Sequence, residues 1–168
     1  MTSLTHINEA VQKASEQLNI PTPTVTYARE SDILNPAETA YFNPLSYGIY
    51  FNPLWVKNAN PLEVLLSAYM QVRYAYQYYA IEYHTNEPAE VLAIWQKEKH
   101  HNLEPKTVFE DEMDLDYIKQ AYVLDAIAYG HFMLLERHDT VSMIPEEIKK
   151  QVLELVNQMK QKSKIKSA

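Results

Sequence analysis

The chain contains no cysteine and only two glycines, Gly48 and Gly130, among 168 residues. Without cysteine there are no disulfides, no thiolate ligands for zinc or an iron–sulfur cluster, and no thiol nucleophile. Two distant glycines supply no Gly-rich loop to cradle phosphates and no G-x-S-x-G elbow to present a serine. Basic residues are outnumbered: 15 Lys and Arg stand against 22 Asp and Glu, for a formal charge of −7. Affinity for nucleic acid comes mostly from Lys and Arg on phosphates, so a nucleic-acid partner is not expected. No apolar run reaches the roughly 18 residues of a membrane span, so no membrane role is expected. The first twenty residues lack a basic start followed by an apolar block and do not read as a signal peptide, which makes a cytoplasmic protein the expectation.

What is abundant is tyrosine, 13 residues against 4 phenylalanines. Tyrosine combines apolar area with a polar tip and suits half-wet surfaces and lined clefts. The length fits a single domain over residues 1–168 with a core of its own. Leu4, Ile7, Val11, Ala14 and Leu18 keep helical spacing behind Ser3 as N-cap, and Pro21 and Pro23 end that helix. Thr24 to Tyr27 reads as a short strand. Four Asn-Pro pairs follow, at Asn35, Asn43, Asn52 and Asn60, and read as turn initiators. Between them, AETAYF and GIYF form a hairpin at about 39–51, with Gly48 expected to supply a special backbone angle in the loop.

Asn60-Pro61-Leu62-Glu63 is a strong helix start, a cap followed by proline at the first helical position. Leu62, Leu65, Leu66, Tyr69, Val72 and Tyr76 then form one apolar stripe toward residue 84. A helix is expected around Val91 to Lys97. The acidic run Glu110, Asp111, Glu112, Asp114 and Asp116 reads as a solvated helix N-terminus. It leads into a long helix with Met113, Tyr117, Ala121, Leu124, Ala128 and Phe132 on one face. A last helix after Pro145 has Ile148, Val152, Leu155, Val156 and Met159 on one face, and within its basic stretch over 149–168 the end KQKSKIKSA, residues 160–168, is expected to fray. The fold class is α+β: a small antiparallel sheet packed on several helices.

The order AYFNPLSYGIYFNP, then NPLEVLLSAYMQVRYAYQ, resembles the small zincin-like metallopeptidase domains of bacteria and their mobile elements, including the ImmA/IrrE type. In those domains a hairpin precedes a helix carrying HExxH, a common form of which reads HExRHxxQ. Here the corresponding run is Met70-Gln71-Val72-Arg73-Tyr74-Ala75-Tyr76-Gln77: the Arg and the trailing Gln match, while both histidines and the glutamate do not. Those domains also carry a Trp-containing connector and a helix with an ExDAxAxA-like pattern whose Glu is the third zinc ligand. Trp95 and Val123-Leu124-Asp125-Ala126-Ile127-Ala128 take these places, with Val123 where the ligand Glu would be. The resemblance covers about residues 38–135.

The departures are chemical. A zincin needs two imidazoles at i and i+4 on one helix face and a neighbouring Glu as general base for metal-bound water. Thioether and phenol are poor zinc ligands, Gln71 accepts no proton, and Val123 has no lone pair. The resemblance therefore implies an inactive domain with no metal and no cofactor, its cleft kept to bind a protein or peptide, with a regulatory role within a phage or other mobile element. The cleft would be lined by Met70, Gln71, Tyr74, Tyr78, Val123 and Asp125. At about 100° per residue from Leu62, Met70 falls at about 80° and Tyr74 at about 120°, on the margin of the buried stripe where a cleft would be lined. A Met–Tyr pair at this spacing is also ordinary core packing.

Two other readings stand beside this one. A small metal-dependent hydrolase could use His131, Glu136 and His138, or the acidic run. A helical module could use its tyrosines to form a homo-oligomer, since tyrosine is enriched at such interfaces. The adjacent His100 and His101 point apart on a helix and cannot chelate together. His84 sits at a helix end where the dipole favours positive charge, and His6 lies on the exposed side of the first helix.

Overall fold

The computed structural model describes residues 1–32, 38–101 and 115–167. The Asn35-Pro36 turn, Met113, and Glu110, Asp111, Glu112 and Asp114 of the acidic run lie outside the described residues. Helix α1 (Leu4–Leu18) starts where Ser3 Oγ accepts the N–H of His6, and it ends at Asn19 in the left-handed conformation, φ 56°. It buries Ile7, Ala10, Val11 and Ala14. Strands β1 (Thr24–Tyr27), β2 (Ala40–Asn43) and β3 (Gly48–Phe51) form a three-stranded sheet in the order β1-β3-β2. The expected hairpin pairs Ala40 with Phe51 and Asn43 with Gly48. Thr24 to Tyr27 joins it as a parallel neighbour of β3, which makes the sheet mixed and not antiparallel throughout.

The loop corrects the expectation for Gly48. Asn43 Oδ1 accepts the N–H groups of Leu45 (2.9 Å) and Ser46 (3.4 Å), and it is Tyr47 that takes a positive φ, 52°. Gly48 answers a different need: a Cβ there would lie 3.1 Å from Thr24 Oγ1 and 3.2 Å from Tyr50 Cε2. The missing side chain leaves room for β1 to lie against β3.

Two of the Asn-Pro pairs open helices. Asn52 caps the short helix α2 (Pro53–Asn58), which turn chemistry alone does not distinguish from a loop. Asn60 caps α3 (Pro61–Tyr83), its side chain accepting the Leu62 N–H at 2.9 Å. Helix α3 is central, packing on α1, α4, α6 and β2. It is therefore buried on nearly every side, and the single stripe expected for a surface helix does not describe it. Val64, Ala68 and Ala75 are buried outside the expected stripe, while Leu62 at its head is exposed.

Helices α4 (Ala89–His101), α5 (Leu115–Ile118), α6 (Ala121–His138) and α7 (Glu146–Ser167) complete the described residues. The single long helix expected through Tyr117 and Ala121 is broken at Lys119 and Gln120, with Gln120 extended at ψ 140° and making no side-chain cap. The carboxylate of Glu98, on α4, caps instead, accepting the N–H of Ala121 at 2.7 Å and of Tyr122 at 3.1 Å. Inside α6, Gly130 lets α3 come close: a Cβ there would lie 2.6 Å from Leu66 Cδ1 and 3.3 Å from the Leu66 carbonyl oxygen. Helix α7 buries Ile148, Val152 and Val156 and continues to Ser167, where a frayed end was expected. Among the described residues no helix is long and apolar enough to cross a membrane.

Candidate functional site

Arg73 and Gln77 stand one turn apart on α3 and face Asp125 on α6. Arg73 Nε donates to Asp125 Oδ2 at 2.7 Å and Arg73 Nη2 to Oδ1 at 3.0 Å, a two-point pairing that fixes both planes. Gln77 Nε2 donates to Asp125 Oδ2 at 2.7 Å and to the Tyr122 carbonyl at 2.8 Å. All three side chains are buried, Gln77 completely. The rings of Tyr76 and Tyr129 lie 4.4 and 5.2 Å from the guanidinium. Burial works to lower the Arg73 pKa, but the Asp125 carboxylate outweighs it and holds Arg73 above its ordinary range. Glu87 extends the network, 3.9 Å from Arg73 and 3.7 Å from Lys162 of α7, and accepts the Tyr76 hydroxyl at 2.8 Å. A cavity of about 180 Å³ opens beside it.

One residue further round α3 the chemistry changes. Gln71, Tyr74 and Tyr78 line a cleft of about 210 Å³ that β2 bounds on one side, and Tyr117, Tyr122 and Lys99 on the other. Gln71 Nε2 donates to the Ala40 carbonyl of β2 at 3.3 Å. The rings of Tyr74 and Tyr122 approach to 5.8 Å, and Phe42 meets Tyr78 at 5.7 Å. Lys99 reaches in from α4, its Nζ 4.1 Å from the ring centroid of Tyr78, 4.5 Å from Tyr122 and 5.4 Å from Tyr74. Burial lowers its pKa to about 7, against the attraction of Asp125 and Glu98. Burial also raises the phenols: Tyr74 stands well above its ordinary value, with Tyr117 and Tyr122 adding to the effect, and Tyr78 and Tyr122 are raised too.

Of the six cleft residues expected from sequence, the structure brings Gln71, Tyr74 and Tyr78 together. Asp125 is turned into the Arg73 network. Val123 is buried at 2% exposure beside Tyr122. Met70 packs near Gly130, its Cγ 3.1 Å from where a Cβ would stand, two turns along α6 from Val123. The rival trio does not assemble. His131 is buried, which lowers its pKa, whereas His138 is hydrogen-bonded through Nε2 to the Tyr69 hydroxyl at 2.7 Å and Glu136 is exposed. Among the described residues no group of three or more His, Asp or Glu side chains converges as a metal site requires.

Lys99 is the residue that sequence reasoning missed. It lies in the charged run Gln96-Lys97-Glu98-Lys99, where nothing marks one lysine as turned inward. The i, i+4 spacing of Tyr74 and Tyr78 was the available signal for an aromatic wall. No protein-family model, curated protein or solved structure matches the chain.

Proposed function

We propose that this is a metallopeptidase-like domain of zincin type that has lost its catalyst and binds an extended peptide in the cleft between β2 and α3. The observation that carries the reading is the meeting of Arg73, Gln77 and Asp125. These three match the zincin-like pattern, lie up to 52 residues apart, and share one buried network. The positions of the would-be ligands and base carry Met70, Tyr74, Val123 and Gln71, none of which replaces imidazole or carboxylate in zinc chemistry. Apolar or neutral side chains at such positions avoid the cost of unpaired buried polar groups.

A peptide suits the cleft because, among the described residues, β2 is an edge strand. The Asn52 N–H donates to the Thr39 carbonyl, in register with the hairpin. This directs the N–H and C=O groups of Ala40 and Phe42 away from β3, to the side where another strand would pair. The Gln71 amide already meets one of these carbonyls. Backbone pairing would give affinity, and the tyrosines would select side chains.

Selection from a displayed library of random linear peptides tests this reading, with enriched peptides titrated against parent, Ala40→Pro and Tyr78→Ala proteins. Ala40→Pro removes an edge N–H without touching the bonds to β3. Both substitutions are expected to weaken binding at least about tenfold. Equal binding to all three proteins, or no enrichment over an unrelated folded control, would overturn the reading.

A further inference from the structure

Lys99 is a cation that shares its cleft with the carboxylate of Glu38 and takes part in no ion pair among the described residues. Both oxygens of its neighbour Glu98 are engaged by the N–H groups of Ala121 and Tyr122. Both oxygens of Asp125 are engaged by Arg73 and Gln77. The nearest neighbours of Lys99 are three ring faces, and the cleft in front of it holds about 210 Å³.

We propose that Lys99 is a nucleophilic amine, and that the tyrosine-lined cleft around it takes a small carbonyl compound, an aldehyde or ketone with a flat unsaturated body, and holds it as a reversible imine. A lysine desolvated in an apolar pocket is the usual origin of such reactivity. Burial favours the amine and outweighs the attraction of Asp125 and Glu98, which lowers the pKa to about 7, while the ring faces favour the ammonium. The groups that bear on it are Tyr74 and Tyr78 of α3, Glu98 of α4, Tyr117 of α5, Tyr122 and Asp125 of α6, and Glu38 and Tyr41 at β2. The raised phenols stay protonated near neutral pH. They supply O–H donors and stacking surfaces but no anion to hold the ammonium.

The chemistry closes without an oxidant or a metal. The amine lone pair forms the C–N bond as the C=O π pair moves to oxygen. A phenol protonates that oxygen and recovers a proton from nitrogen, leaving a carbinolamine. The phenol then protonates the hydroxyl, which departs as water while the nitrogen lone pair forms C=N. The remaining N–H proton returns to the phenolate, so one water leaves and no group is oxidised or reduced.

The test is competitive labelling of the intact protein with limiting benzaldehyde and cyanoborohydride, read by peptide mass spectrometry. Lys99 is expected to label at least about tenfold faster than exposed Lys57 and Lys149 at neutral pH, with a rate that rises through pH of about 7 and then levels. The preference is expected to vanish in guanidinium chloride. Labelling no faster than Lys57, or a preference that survives unfolding, overturns the proposal, and neither outcome depends on a variant that must fold. The inference needs neither a peptide ligand nor zincin ancestry, so failure of the peptide selection leaves it intact.

Discussion

Helices α3 and α6 build two polar regions from side chains only one residue apart, and the two regions behave differently. Arg73 and Gln77 meet Asp125 on one face; Tyr74 and Tyr78 face Tyr122 and Lys99 about 100° further round. In the first region the cation has its carboxylate at 2.7 Å, and that carboxylate also accepts Gln77. In the second, three tyrosine rings lie against the cation and Glu38 lines the same cleft. Burial acts on both. A partner keeps Arg73 charged and turns it into a clamp between helices, whereas burial, with no ion pair to Lys99 among the described residues, moves Lys99 toward a neutral, reactive amine. What separates a structural charge from a chemical one here is the allocation of two carboxylates.

The comparison breaks most visibly at the clamp. Arg73→Met leaves the Asp125 carboxylate buried without its cation and is expected to cost about 3–5 kcal/mol, while Asp125→Leu leaves Arg73 only the longer pairing with Glu87 and is expected to cost somewhat less. The double variant is expected to recover much of that loss, because the surviving charge is gone as well. Urea unfolding midpoints of the four proteins decide it; additive losses would show that the pair does not act as a unit.

A smaller effect is expected at Glu98, which stands between the two regions. Glu98→Gln keeps one acceptor but loses the charge at the start of α6, at a cost of about 1 kcal/mol. An unchanged thermal midpoint would show that water caps Ala121 and Tyr122 equally well.

The last effect is a slope. With a folded pKa of about 7 against an ordinary 10.5, Lys99 leaves more protons on the unfolded chain between these values. Its contribution to stability therefore rises with pH through that window and is lost as pH falls toward 7. In Lys99→Met this rise is absent, so the parent should gain on the variant as pH increases from 7 to about 10, where free tyrosines begin to ionise. Parallel melting curves across that range would place the lysine in water.

Much of the frame was legible because it rests on local chemistry. The start of α3 follows from Asn60-Pro61, the hairpin from two aromatic runs around Asn43-Pro44, and α1 and α7 from one-sided apolar spacing. Asn52-Pro53 carries the same signal as Asn43-Pro44 yet opens a helix, since a cap and a turn use one side-chain geometry. The burial of α3 was not legible from one stripe, because an interior helix has several faces to fill. Within the site, the spacing of Arg73 and Gln77 and of Tyr74 and Tyr78 could be read from the chain. The inward turn of Lys99 could not, since it depends on α4 docking, and neither could the break before Ala121, whose cap comes from 23 residues away.

That borrowed cap couples two helices in time as well as in space. A helix capped by its own preceding residue can protect its first amides whenever it forms. The first turn of α6 holds its Ala121 and Tyr122 amides only while α4 is seated. Hydrogen exchange at these two amides thus reports the opening of α4 and not the fraying of α6. The same opening withdraws Lys99 from its ring of tyrosines, so one exchange rate measures how often the cleft loses its amine.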